Sequence, residues 1–226
     1  MSQPASPGHA AWRQVQAGQG LAYRFLARCF HEPPRHEWFA ELVEGRLFEA
    51  WPFPSSGEDT AAGLRLLRAF CERWDPARHG ELEWDFNRLF VGPGEMLAPP
   101  WESVHCSKTR LTFQEATVEV REIYRRFGMQ APAIHREPDD HIALELAFFA
   151  HLSDLAAEAE RRSATPELER CFEAQRDFLQ HHLLKWVPAC LALVDAHAET
   201  DYYRGTARLT LGSLAKSAHL CGATST

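Results

Sequence analysis

The sequence predicts an all-α protein built as one globular multi-helix domain, and three observations carry that prediction. Apolar residues recur at helical spacing almost throughout, sustained period-two alternation is absent, and short proline- and glycine-rich segments separate the periodic stretches. Val15, Ala22, Phe25, Leu26, Cys29 and Phe30 mark a first helix, which Pro33 and Pro34 stop. Trp38, Phe39, Leu42 and Val43 mark a second. After the turn-rich "WPFPSSGED", a third carries Leu64, Leu67, Cys71 and Trp74 and ends at "DPARHG". Leu82, Phe86, Leu89 and Phe90 line a fourth, which runs into the stiff loop "FVGPGEMLAPPWESVH". Beyond it, Phe113, Ala116, Val120, Ile123 and Phe127 form a stripe that Gly128 ends as a left-handed residue.

The next helix, over about 140–160, is apolar nearly all round through "IALELAFFAHL", as a central buried helix must be. Thr165 and Pro166 read as a cap followed by proline at the first helical position. The helix they open carries Leu168, Phe172, Phe178, Leu179, Leu183 and Trp186, with a kink or break at Pro188. Asp201 reads as the cap of a last helix lined by Ala207, Leu211, Leu214 and Ala218. The expected boundaries are a flexible start over 1–10, the helical domain over 11–220 and a flexible end over 221–226.

The chain has 226 residues, 45% of them hydrophobic, enough for a substantial core. Its net charge of -7 argues against a nucleic-acid binder, which needs clustered Lys and Arg, and suits a basic partner. Cys29, Cys71, Cys106, Cys171, Cys190 and Cys221 lie far apart without a Cys-x-x-Cys pair, so they read as reduced, mostly buried thiols. The start "MSQPASPGHAAW" lacks the pattern of a secretory signal and no apolar run reaches membrane-spanning length, so a cytoplasmic location is expected.

The densest polar cluster is "HREPDDH" at 135–141. Capping of the central helix accounts for Asp139 and Asp140 on local grounds alone, because carboxylates satisfy free N–H groups and the positive dipole end there. The alternatives are a small metal-dependent or hydrolytic enzyme built on His135, Glu137, Asp140 and His141, or an assembly factor for an unrelated complex that uses the same apolar groove. Against the enzyme, there is no His-Glu-x-x-His and no paired Glu-x-x-His. His181 and His182 point to different sides of one helix and read as surface and packing. "GPGE" lacks the lysine and spacing of a phosphate-binding loop, and Ser103, His105 and Cys106 lack the setting of a nucleophile. A binding surface remains. Trp84, Trp101 and the proline turn offer flat apolar area, while Glu102, Asp139 and Asp140 offer negative charge, a combination suited to a peptide with basic residues beside an apolar stretch.

Two of these segments together, "DFNRLFVGPGEMLAPPWESVH" and "EPDDHIALELAFFAHL", resemble the TorD-type family of cytoplasmic molybdoenzyme chaperones, which includes the DmsD and NarJ relatives. The likeness runs from the first helix to about Trp186. It implies a TorD-like all-helical domain, not an enzyme, that binds the twin-arginine leader and the mature region of a DMSO-reductase-class molybdoenzyme. Export would then wait until the molybdenum cofactor is in place. It places Pro100, Trp101 and Ser103 of the first motif and Glu137, Pro138, Asp140 and His141 of the second along one leader-binding groove, which Trp84, Phe86, Phe90, His105 and Asp139 would complete. It implies no fixed cofactor. Some members are linked to guanine nucleotide, a property that "GPGE" neither supports nor excludes. Phe86 and His105 stand where the family often has tyrosine, which removes a phenol hydrogen bond at each place and is one way client preference would change. The expected state is a monomer, or a dimer that exchanges segments about "WPFPSSGED" or "LAPPWES".

Overall fold

A computed structural model describes residues 9–107, 115–130 and 138–223. In chain order the helices are α1 (His9–His31), α2 (His36–Glu44), α3 (Glu58–Arg73), α4 (Gly80–Phe86), α5 (Glu102–Cys106), α6 (Glu115–Arg126), α7 (Ile142–Arg161), α8 (Thr165–Phe178), α9 (Leu184–His197) and α10 (Asp201–Cys221). Short 3-10 turns at Leu47–Glu49 and Pro76–Arg78 join the early helices. Among the described residues there is no strand, only an isolated bridge between Trp101 and His141.

The all-α prediction holds because each apolar stripe finds a partner helix. The central helix α7 buries Ile142, Leu146, Phe148, Phe149 and Leu152, and packs along α1 on one side and α8 on another. Tyr23 of α1 meets Phe149 of α7 at a ring separation of 4.7 Å. Polar side chains at this junction are buried as a connected set. Gln19 donates to Ser153 at 2.9 Å, Ser217 to Gln19 at 3.1 Å, Tyr23 to Ser217 at 2.9 Å and Gln175 to Gln16 at 2.8 Å. Satisfied groups of this kind fix register among α1, α7, α8 and α10 where apolar packing alone would tolerate sliding.

The remaining layer is α3 against α10, pressed close by glycine. A Cβ on Gly63 would stand 2.6 Å from the Leu209 nitrogen and 2.8 Å from the Gly205 oxygen, both backbone atoms that cannot turn aside.

Several boundaries fall elsewhere than the sequence suggests. The helical body reaches back to His9 and on through Cys221, slightly beyond 11–220 at each end. The central helix starts at Ile142 with His141 as its cap, not at Asp140, because the Asp140 carboxylate is committed to other partners. Thr165 is already helical and Ala164 precedes it without a side-chain cap. Thr200, not Asp201, caps α10. Its hydroxyl accepts from the Tyr203 nitrogen at 3.4 Å, while Asp201 pairs with Arg73 at 2.9 Å. Pro188 does not break its helix, since Trp186, Val187, Cys190 and Leu191 stay buried on both sides of it. The irregularity instead lies upstream, in a π-helical turn at Leu179–Leu183 that carries α8 into α9. Gly128 does adopt the left-handed conformation, at φ +75°, and the Met129 nitrogen closes onto the Tyr124 oxygen at 3.0 Å. In the stripe before it, Phe113 lies outside the described residues.

Candidate functional site: the seam between two motifs

The first motif begins where α4 loosens. A π-helical turn at Asn87–Val91 extends α4, the Gly92 nitrogen bonds the Asn87 oxygen at 2.8 Å, and Gly92 and Gly94 take positive φ to turn the chain. The Ala98 nitrogen then ties the loop back to the Leu89 oxygen at 2.9 Å. Pro99 and Pro100 deliver Trp101 in extended conformation, where it pairs antiparallel with His141. Two backbone bonds make the seam: Glu102 nitrogen to Asp140 oxygen at 3.0 Å, and Ile142 nitrogen to Pro100 oxygen at 2.8 Å. Residues about forty positions apart are thereby held edge to edge, as the binding-surface reading requires.

The carboxylates in this seam face inward. Asp140, fully buried, accepts from the Ser103 backbone nitrogen at 2.8 Å and the Thr117 hydroxyl at 2.7 Å. It therefore satisfies a free N–H at the start of the short helix α5, not of α7. Asp139 takes the Arg121 guanidinium at 2.6 and 2.8 Å. Glu102 holds His182 Nδ1 at 2.8 Å and Lys185 at 3.3 Å. The expectation that these three acids offer open negative charge to a peptide is corrected: all are buried and occupied. Beside them Glu145, fully buried, accepts from Trp186 Nε1 at 3.0 Å. Burial first, and the neighbouring Glu102 charge second, push its carboxyl well above the usual carboxylate range.

His141 is neutral. Its Nδ1 accepts from the Ala143 nitrogen at 3.1 Å, which assigns the ring proton to Nε2, and burial, with His31 nearby, lowers its pKa to about 3. The Trp101 ring meets it edge-on at 5.7 Å. His105 replaces the hydrogen bond that the loss of tyrosine was expected to remove: its Nε2–H donates to the Pro99 oxygen at 2.8 Å while the ring lies over Trp186 at 5.3 Å.

The remaining predicted site residues divide by exposure. Pro100, Ser103 and Pro138 are buried in the seam. Phe86 and Phe90 are core: they pack on each other at 5.1 Å and on Tyr203 at about 6 Å, beneath the loop and out of reach of a peptide. Trp84, in contrast, is 53% exposed under the Arg88 guanidinium. Trp101 and His105 are half-buried, so in the first motif both keep part of their surface open. Glu137 and His135 lie outside the described residues. Among the described residues no group of three or more His, Cys, Asp or Glu is placed to hold a metal ion. The Asp140 oxygens and His141 Nδ1 are already taken by protein donors.

Sequence reasoning missed the support around the seam. Thr117, Arg121 and Tyr124 share one face of α6, and Tyr124 donates to the Asp139 oxygen at 3.0 Å. Polar residues at helical spacing on the same side as Val120 were the available signal. His181 and His182 do point apart, but His182 is 3% exposed and anchors Glu102. Asp85 was also missed: fully buried, it accepts from the Glu199 and Thr200 nitrogens and the Thr200 hydroxyl, securing the start of α10.

Fold and site together define an all-helical protein organised around a rigid, aromatic-edged seam. Residues 54–192 match the family described as nitrate reductase delta subunit, and the chain belongs to that family. It is 32% identical over 139 residues to the "Chaperone protein TorD" of Vibrio cholerae, covering 62% of this chain and 61% of that protein. The "Tat proofreading chaperone DmsD" of Salmonella typhi is 28% identical over 193 residues, covering 83% of this chain and 84% of that one. The match to the Vibrio relatives thus spans about six-tenths of their length. The TorD-type resemblance read from the two motifs is borne out.

Proposed function

We propose that this chain is a system-specific chaperone, not an enzyme, that binds the twin-arginine leader and the apo form of a molybdopterin-containing oxidoreductase, assists cofactor insertion and delays export. One observation carries the reading: the antiparallel pairing of Trp101 with His141, which joins the two motifs and leaves the Trp101 ring partly open. A rigid aromatic edge is a low-entropy platform for the apolar run of a leader. The buried carboxylates act on that platform indirectly. Asp140 with Ser103 and Thr117, Asp139 with Arg121, and Glu102 with His182 hold it in place. Both relatives carry chaperone in their names, and DmsD carries Tat proofreading, which agrees with a leader as ligand. No helix among the described residues is long and apolar enough to cross a membrane.

Two experiments test the proposal. Affinity purification from the native organism should recover a molybdoenzyme precursor with its leader attached, and recovery only of proteins without such a leader would sink it. Trp101→Ala should weaken binding of that leader by about tenfold or more while helical content is unchanged, as expected for loss of a partly buried aromatic anchor. Equal affinity of variant and parent would remove the seam from the binding site.

A further inference from the structure

A second concave feature lies outside the two motifs: a cavity of about 400 Å³ between α6 and α8. Its walls are Glu119 and Ile123 on α6 with Phe127 just past the end of that helix, and Glu173, Asp177 and Phe178 on α8, at the spacing that puts residues on one face. At one end Arg170 of α8 donates to the Arg126 oxygen at 2.8 Å and lies 4.7 Å over the Phe127 ring. At the other end His182, 3% exposed, closes the cavity and stacks on Phe178 at 4.9 Å. The His182 Nδ1 bond to Glu102 therefore links this end directly to the residue after Trp101.

The charge here is available, unlike that in the seam. Glu119 and Glu173, one on each wall, are exposed and form no ion pair among the described residues, and Asp177 between the ends meets Arg176 at 3.3 Å on the surface. Positive charge is gathered at the Phe127 end, where Arg126 and Arg170 stand. A cavity with an apolar floor and an unpaired carboxylate on each wall fits a segment bearing two cations on long apolar stems. This assignment rests on the leader-binding reading above. We infer that the α6–α8 cavity, and not the buried motif carboxylates, receives the arginine pair of the leader. Glu119 and Glu173 pair with the guanidinium groups, and Ile123, Phe127 and Phe178 take the stems and the adjoining apolar side chain.

The test is titration of synthetic peptides carrying either Arg–Arg or Gln–Gln before the same apolar run, against the parent chain, Trp101→Ala and the double variant Glu119→Gln with Glu173→Gln. Both substitutions are on exposed positions, and the far-UV helical signal checks the fold. The double variant should bind the Arg–Arg peptide about tenfold more weakly, bind the Gln–Gln peptide like the parent, and lose its deficit as salt is raised. If Trp101→Ala weakens binding and the double variant does not, the cavity assignment falls and leader binding at the seam stands. If the parent binds neither peptide, the leader reading falls and takes the assignment with it.

Discussion

Asp140 shows how a residue's role changes once its partners are known. From sequence it reads as a helix cap or as an open charge, and exchange for asparagine would separate the two by keeping the cap and removing the charge. In the fold both of its oxygens accept, one from the Ser103 nitrogen and one from the Thr117 hydroxyl. An amide keeps one acceptor oxygen for the Ser103 nitrogen and turns its N–H to the Thr117 oxygen, so the Thr117 hydroxyl proton loses its buried acceptor. Asp140→Asn is therefore expected to destabilise the protein by about 1–3 kcal/mol, the cost of an unsatisfied buried group. A denaturant midpoint equal to that of the parent would show instead that the carboxylate is free for a ligand. His105 makes the complementary point: the tyrosine position keeps a hydrogen bond after substitution, because Nε2–H reaches the Pro99 oxygen at 2.8 Å.

At the scale of elements, helices were legible wherever an apolar stripe was long, and their ends were not. The stripes of α1, α3 and α7 read directly because 3.6-residue periodicity survives any tertiary arrangement. The ends of α7 and α10 moved because caps are chosen by competition: Asp140 serves α5, and Asp85, distant in sequence, fixes the backbone at Thr200. The short helix α5 carries too few residues to show a period at all. The contact between α3 and α10 yields a prediction of its own. Gly63→Ala drives a methyl into two backbone atoms of α10 and should cost about 1–3 kcal/mol of stability, whereas Gly80→Ala, with nothing within 4 Å, should be neutral or slightly stabilising. Thermal midpoints of the two variants measured side by side decide it, and an unchanged midpoint for Gly63→Ala would mean the two helices are free to separate.

For the whole molecule, the seam concentrates buried ionisable groups, and pH should report on it. The His141 pKa falls from 6.5 to about 3 in the fold. Between those values the unfolded chain holds a proton that the folded one does not, so stability is full above 6.5 and declines as pH falls toward 3. The slope from this group is up to about 1.4 kcal/mol per pH unit. His141→Asn, which can still cap α7, should flatten the acid limb of a plot of unfolding free energy against pH. An unaltered limb would assign it to other groups. Glu145 acts with the opposite sign: with its carboxyl held above the usual range, its contribution is lost as pH rises from that range upward.

What the sequence determined by itself was the all-helical class, the buried character of α7 and the family likeness carried by the two motifs, since composition and local periodicity need no partner to be read. The tertiary structure alone decided which charges are available. Asp139, Asp140 and Glu102 look like a surface for a basic peptide until Arg121, Thr117 and His182, from other parts of the chain, are brought against them. Trp84 and Phe86 stand two positions apart, yet one faces solvent and the other the core. Burial and pairing are set by what a chain folds against, and a charge removed from water must find its counter-group in space, not in sequence.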